Sequence, residues 1–347
     1  DSVQVVHWKN RLFWIWGDTQ RPNYPLGNFH STAAWSDMPD KGGLDPQHGI
    51  HFEYITEGDG AVAKMIPVQE PGVVWLFGML TVSDAAGKEH LMAHYSRWKD
   101  LSKRLEHGLA EMDEETQRFR RVSVLGDEFT WQYPQNNAVR AKGSGSGGER
   151  DYFYFSTPFC VTRVPATYED VQNTSSYEAL VWSDEMKSHV WQAGGEPLSQ
   201  ESESKLVSEK KMPKSEARLQ VEDAQTGKPV MLHGSSVHWN EHRKRWIMIA
   251  VQKSGGDSFL GEVWYAEAKG IDGPWRKAMK VASHPKYSFY NPSQHAFFDQ
   301  QDGRYIFFEG TYAETFSGNP VATPRYDYNQ LMYRLDLDEA RLKPAQD

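Results

Sequence analysis

A hydrophobic hairpin recurs along the chain with constant polarity, and this repeat constrains the fold more than any other feature. In Val5-Val6-His7-Trp8-Lys9-Asn10-Arg11-Leu12-Phe13-Trp14 a short apolar run meets a tight polar turn and then a second, more aromatic run. The phrase returns at Ser236-Val237-His238-Trp239 and Trp246-Ile247-Met248-Ile249, joined through Asn240 to Arg245. It is read again at His295-Ala296-Phe297-Phe298 and Tyr305-Ile306-Phe307-Phe308-Glu309, around Asp302-Gly303. Two looser copies lie between, Phe77 to Val82 with Leu91 to Tyr95, and Asn137 to Ala141 with Tyr152 to Phe155 across the turn Gly143 to Gly148. Five such units, mostly about 50 to 70 residues apart, are the signature of a radial repeat, in which each unit is a small sheet that buries its faces only against its neighbours. The pattern predicts an all-β chain folded as a five-bladed β-propeller, one domain over residues 1–347.

Alternating apolar runs cut by Gly, Asp and Asn place the blades. Blade one runs from Val3 to about Ile55, blade two from Val73 to about Leu125, blade three from about Asn136 to Trp182 and blade four from about Ser235 to Val281. Blade five begins near Gln294 and ends at Leu335. Residues 183–231 read as an insertion between blades three and four. Its stretch from Ser199 to Glu216 is so rich in Ser, Glu and Lys that a solvated loop or frayed helix is expected, followed by an extra hairpin from Arg218 to Leu232.

With 39% hydrophobic residues and a mean hydropathy of −0.69, the core must come from large side chains. The chain supplies 13 Trp, 16 Tyr and 16 Phe, residues that favour strands and also stack on sugar rings. A net charge of −9 argues against a surface that wraps nucleic acid. The lone cysteine excludes an internal disulfide, and Cys160, within Phe159-Cys160-Val161, reads as a buried small hydrophobe. No run approaches the roughly 18 apolar residues of a membrane span. The chain shows no signal peptide and starts strand-like at Asp1, as a processed secreted protein or a trimmed sequence would, and a secreted or periplasmic location is expected.

In a propeller the first strand of each blade starts at one face near the axis and the second returns to it. The start of strand one, the end of strand two and the start of strand three therefore share one mouth. Among carboxylates this filter keeps Asp18 in Trp16-Gly17-Asp18-Thr19, Glu309 in Phe308-Glu309-Gly310-Thr311-Tyr312, and Glu262 in Gly261-Glu262-Val263-Trp264 as candidate catalytic residues. Carboxylates converging from neighbouring blades can divide acid and base roles in glycoside hydrolysis. The same filter gathers candidate substrate-binding residues: His30 before the strand Thr32 to Trp35, His94 and Tyr95 ending strand two of blade two, Asn137 and His295 starting inner strands, and His233 just ahead of blade four. Two long loops add Arg21 in the first blade and Tyr312, Arg325 and Asn329 in the fifth, planar rings and bidentate donors suited to sugar faces, hydroxyls or a carboxylate. There is no HExxH, no paired Cys-His spacing and no EF-hand loop, so no metal or other cofactor is expected.

Two of these segments resemble known families. Val263-Trp264-Tyr265-Ala266-Glu267-Ala268 followed by Gly273-Pro274-Trp275 resembles the strand and GPW turn of five-bladed propeller glycoside hydrolases, the clan around families 43, 62 and 117. Trp16-Gly17-Asp18-Thr19 is similar to the GDT element of DUF4185-type propellers, some of which cleave arabinan, and the whole resembles uncharacterised secreted proteins of polysaccharide-degrading bacteria. The resemblance implies a five-bladed propeller with carboxylate catalysis at its axial mouth and points to Asp18 alone; Glu309 and Glu262 rest on topology. The Asp usual at the start of the first inner strand has no counterpart unless Asp1 supplies it. The expectation is a glycoside hydrolase acting on a carbohydrate, anionic ones included, with Asp18 as base or nucleophile and Glu309 or Glu262 as general acid. Two alternatives stay open: a polysaccharide lyase using His94, Tyr95, Tyr312 and Arg325, and a non-catalytic glycan-binding propeller.

Overall fold

The computed structural model describes residues 1–19, 29–145, 147–256, 259–285, 287–313 and 328–346. Among them five sheets follow one another along the chain. The first holds β1 (Gln4–Trp8), β2 (Arg11–Trp16), β3 (Thr32–Ser36) and β4 (Glu53–Tyr54) in sequence order. The second holds β5 (Val73–Ser83), β6 (Glu89–Asp100), β7 (Lys103–Asp113) and β8 (Arg118–Leu125). β9 (Ala138–Gly145), β10 (Gly148–Ser156), β11 (Cys160–Pro165), β12 (Glu178–Ser183) and β13 (Ser188–Ala193) make the third. The fourth is β15 (Leu232–Asn240), β16 (Arg245–Gln252), β17 (Val263–Ala268) and β18 (Lys277–Ala282), with β14 (Glu222–Asp223) parallel on its outer edge. The fifth is β19 (Ser288–Gln294), β20 (Tyr305–Ala313) and β21 (Tyr328–Asp336). Two short helices, α1 (Tyr168–Gln172) and α2 (Gln200–Ser208), interrupt the strands, and no helix among the described residues is long and apolar enough to cross a membrane.

The repeated hairpins form for local reasons. Trp8 pairs with Arg11 across Lys9 and Asn10, whose φ values of 51° and 62° are the left-handed pair that a two-residue turn needs to match strand twist. Side chains then alternate between two buried faces. On β2, Leu12 and Trp14 pack against the fifth sheet with Phe298 and Phe307, while Phe13 and Ile15 pack against the second with Val74 and Leu76. On β10, Phe153 and Phe155 face the second sheet and Tyr152 and Tyr154 the fourth. On β16, Met248 and Ala250 face the third sheet and Ile247 and Ile249 the fifth. The core is thus five seams rather than one centre, which is where the aromatics go. The first strands adjoin in turn, β1 with β5, β5 with β9 and β15 with β19. Ser156 and Asn137 of the third sheet bond the Ser235 carbonyl of the fourth, and the Ser2 amide donates to Thr311 Oγ1 (3.1 Å), tying first sheet to last.

Two expectations are corrected. The run His295 to Phe298 is not the inner strand of the fifth unit: β19 precedes it, and Ala296–Phe298 is a 3-10 turn. The presumed insertion 183–231 gives its beginning to β13, which pairs Ser183 with Ser188 through Ala193 with Glu178, and the charged stretch forms α2 with a Ser199–Ser202 capping box. The terminal Arg341-Leu342 segment is a 3-10 turn, Ala340–Ala345, that packs on β17 and β18 and adds no strand to the fifth sheet. Cys160 is buried, and burial pushes its thiol pKa well up.

Candidate active site

Strands of the first, second, fourth and fifth sheets and the segment leading into β9 of the third line one polar cavity of about 160 Å³. Its wall consists of Ser2, Val3 and Gln4, then Phe77, then Gln135 to Asn137, Gly234 with Ser235, and finally Asn291 with Pro292. Amides dominate. Asn137 Nδ2 donates to the Ser235 carbonyl (3.2 Å) and its Oδ1 accepts from Ser293 Oγ (3.3 Å), so this predicted residue, just ahead of the third sheet, ties it to the fourth and fifth at the cavity. Gln4 Oε1 accepts from the Met79 amide at 3.1 Å, and Asn291, with φ of 52°, donates to Ser2 Oγ at 2.6 Å. Gln4, Gln135, Asn136 and Asn291 escaped the sequence reading, which weighted charge and rings; the Gln135-Asn136-Asn137 run and the Asn291-Pro292 step were the available signals.

Carboxylates lie beside this cavity, in the seam between fifth and first sheets. Asp1 Oδ1 accepts from the Asp18 amide (2.8 Å) and Asp1 Oδ2 from the phenols of Tyr290 (2.8 Å) and Tyr328 (2.7 Å). Asp18, two residues beyond β2, accepts from the Phe29 amide at 2.7 Å, and burial raises its pKa against the opposing pull of that hydrogen bond. Asp1 lies three residues ahead of β1, hydrogen-bonded to the Asp18 amide and one residue from the cavity wall.

Several predicted site residues are placed elsewhere. Glu309 lies inside β20 rather than at its end, buried, with its Oε1 accepting from His295 Nε2 at 2.8 Å. His295 is itself fully buried and follows β19 instead of starting it, so this pair sits deep in the seam. Glu262 immediately precedes β17, as expected, but is sealed between fourth and fifth sheets beside His284, whose Nδ1 donates to the Gly261 carbonyl (2.7 Å). His94 and Tyr95 are mid-strand and have no exposed surface; His94 Nδ1 donates to the Pro134 carbonyl (2.6 Å) and Tyr95 donates to Glu106 (2.9 Å). Burial holds His94 neutral, its pKa down to about 4. His30 accepts from the Val74 amide through Nδ1 (3.1 Å) and fastens the first sheet to the second. His233 is exposed on β15. Tyr312 stacks on Tyr287 at 4.6 Å and pairs in register with Asn329. Arg21 and Arg325 lie outside the described residues. No three His, Cys, Asp or Glu side chains converge as a metal cluster among the described residues.

No family model matches the sequence, and no curated protein matches it. Solved structures do. An exo-β-1,3-galactanase from Clostridium thermocellum is similar over 97% of this chain and 59% of its own, with 9% identity and a TM-score of 0.49. An exo-β-1,3-galactanase from Phanerochaete chrysosporium, solved with galactose, matches over 97% of this chain and 60% of its own, at 8% identity and a TM-score of 0.49. A GH43_1 enzyme from Xanthomonas citri complexed with xylotriose matches over 96% and 86%, at 11% identity and a TM-score of 0.43. The chain spans about three fifths of the length of the two galactanases. These neighbours are glycoside hydrolases; identities and TM-scores this low identify neither a family nor site residues for this chain.

Proposed function

We propose that the five sheets are the blades of a five-bladed propeller and that the chain is a glycoside hydrolase of the secreted or periplasmic space, acting at the axial mouth. One observation carries the reading: the Asp1 carboxylate accepts from the backbone amide of Asp18, which brings two acidic residues together beside a polar cavity lined from four sheets and the segment leading into the other. Their surroundings push them towards different roles. Asp18, its pKa raised by burial, suits the proton donor to a glycosidic oxygen, the reverse of the base role its GDT resemblance suggests. Asp1, accepting from two phenols and an amide, suits the carboxylate that acts opposite it. Glu309, committed to His295, supports the seam from behind.

The test is release of new reducing ends from a panel of β-linked galactans, xylans, arabinans and uronate-bearing glycans. On the substrate cleaved, Asp18→Asn should lower turnover at least about 100-fold with the melting temperature kept, and Glu309→Gln should lower both turnover and melting temperature. Full activity in Asp18→Asn and Glu309→Gln together would sink the assignment. The amide-rich wall, with no carboxylate in it, favours a non-catalytic glycan-binding role as the second reading; binding across the panel without products from any glycan would establish it. Of the lyase candidates, His94 and Tyr95 are sealed, whereas Tyr312 is half-buried.

A further inference from the structure

Three large rings of the second sheet stand apart from the seams of the core. On β5, Val74 and Leu76 are buried against the first sheet, and strand alternation turns Trp75 and Phe77 to the opposite face. Trp98 of β6 joins them there, since it pairs with Val73 as Ser96 pairs with Trp75, and its ring centroid lies 6.2 Å from that of Trp75 at an interplanar angle of 35°. All three rings are partly exposed, and none belongs to the five hydrophobic clusters that form the seams. Other apolar side chains of the same two strands, such as Leu80, Leu91 and Met92, are at most 2% exposed. The strip of rings is therefore not explained by packing.

Its surroundings say what it suits. At the inner end Phe77 lines the polar cavity. Two residues outward, the Trp75 indole N–H donates to the Phe29 carbonyl at 3.0 Å and lies near enough to Asp18 to pull its pKa down, against the larger upward effect of burial. At the outer end the Trp98 indole N–H is spent on Ser96 Oγ (2.7 Å). With both N–H groups committed inside the protein, the rings have only their faces to offer. Aromatic faces that continue into an amide-lined cavity suit a pyranose chain, whose C–H faces stack on rings while its hydroxyls pair with amides. A purely apolar partner would desolvate those amides without pairing them, and the net charge of −9 disfavours a nucleic acid.

The geometry points to a glycan-binding strip on the second sheet: a chain of neutral pyranose residues enters the polar cavity at Phe77 and runs outward over Trp75 and Trp98. The inference rests on the reading of the mouth as a glycan site, whether that site cleaves or only binds. Titration of the intact protein with cellotriose, xylotriose and β-linked galactotriose, followed by calorimetry and by the indole N–H resonances, tests it. For a sugar that is cleaved, KM replaces the dissociation constant. At least one trisaccharide should bind and move the Trp75 and Trp98 resonances together. Trp98→Ala should weaken that binding about fivefold or more with the melting temperature kept, and Trp98→Tyr, which keeps a ring, should recover most of the loss. Binding without products, still weakened by Trp98→Ala, would remove the hydrolase reading and leave the strip in place. Products formed by Trp98→Ala with the parent's KM would overturn the strip and leave the hydrolase reading standing. Resonance shifts that spare both Trp75 and Trp98 would overturn the strip outright, and a protein that neither binds nor cleaves any of the three sugars would overturn both.

Discussion

Replacing Arg163 with alanine should lower the unfolding free energy by about 3–5 kcal/mol, measured by urea denaturation at neutral pH. Arg163 is 1% exposed and reaches every strand of the third sheet. Its Nε donates to Glu178 of β12 (2.7 Å), Nη1 to the Tyr154 hydroxyl of β10 (3.1 Å) and Nη2 to the Ser144 carbonyl of β9 (2.8 Å). The guanidinium also lies over the rings of Tyr152 at 3.9 Å and Trp191 of β13 at 4.3 Å. The space is tailored to it, because a Cβ on Gly143 would come within 2.8 Å of Nη1 and closer still to the Tyr154 hydroxyl. Removing the arginine leaves a mostly buried carboxylate and a carbonyl without their donor. Arg163→Lys keeps the charge but cannot donate in three directions while stacking, so it should recover less than half of the loss. The double variant Arg163→Met with Glu178→Leu should be more stable than Arg163→Ala, because no unpaired charge remains. A loss under about 1 kcal/mol for Arg163→Ala would show that the ring contacts and water compensate fully.

How much of this was legible depended on which physical signal each element carries. The hairpin at Lys9-Asn10 was readable because a left-handed turn and period-two burial both leave marks in the sequence. The fifth unit was misplaced because its inner strand hides behind Asn291-Pro292, a pair that reads as a turn but is a bulge, with the register shifting between Tyr290 and Ser293. The neighbouring apolar run His295 to Phe298 imitated a strand, although it is a turn whose Phe298 ring packs on Trp14 at 5.9 Å. Short apolar runs do not reveal whether they extend or fold back.

The site followed the same logic. Asp18 was singled out because its GDT context is local, and Asn137 because it lies just ahead of an inner strand. Glu309 and His295 were displaced with their misread unit. The amides that line the cavity carry neither periodicity nor charge. The buried, unpaired atoms of His107, Gln132 and Thr162 are properties of three-dimensional packing, which leave no mark in the sequence.

The charged segment read as a solvated loop or frayed helix holds the second large effect. Glu203 of α2 is fully buried. Its Oε1 accepts from the Arg218 amide (2.7 Å), and its Oε2 from the Leu219 amide and Gln220 Nε2 (2.9 Å each). A single carboxylate thereby pins the chain that leads into β14. Burial is the largest influence on its pKa and acts upward, but the neighbouring His189 and these donors together outweigh it, so the pKa is lowered from the ordinary 4.5. Glu203→Ala strands two backbone N–H groups and should cost about 3 kcal/mol or more; Glu203→Gln, which keeps one acceptor oxygen, should cost about half as much. The pH dependence has a definite sign. As pH falls, the unfolded chain takes up the proton first, so the contribution of Glu203 is complete above 4.5 and is lost as pH drops through the lower folded value. The stability difference between the parent protein and Glu203→Gln should therefore be level from about pH 6 to 8 and shrink below about pH 4.5. A difference that instead grew on acidification would mean that Glu203 is buried as the neutral acid, its donors too weak to hold the charge.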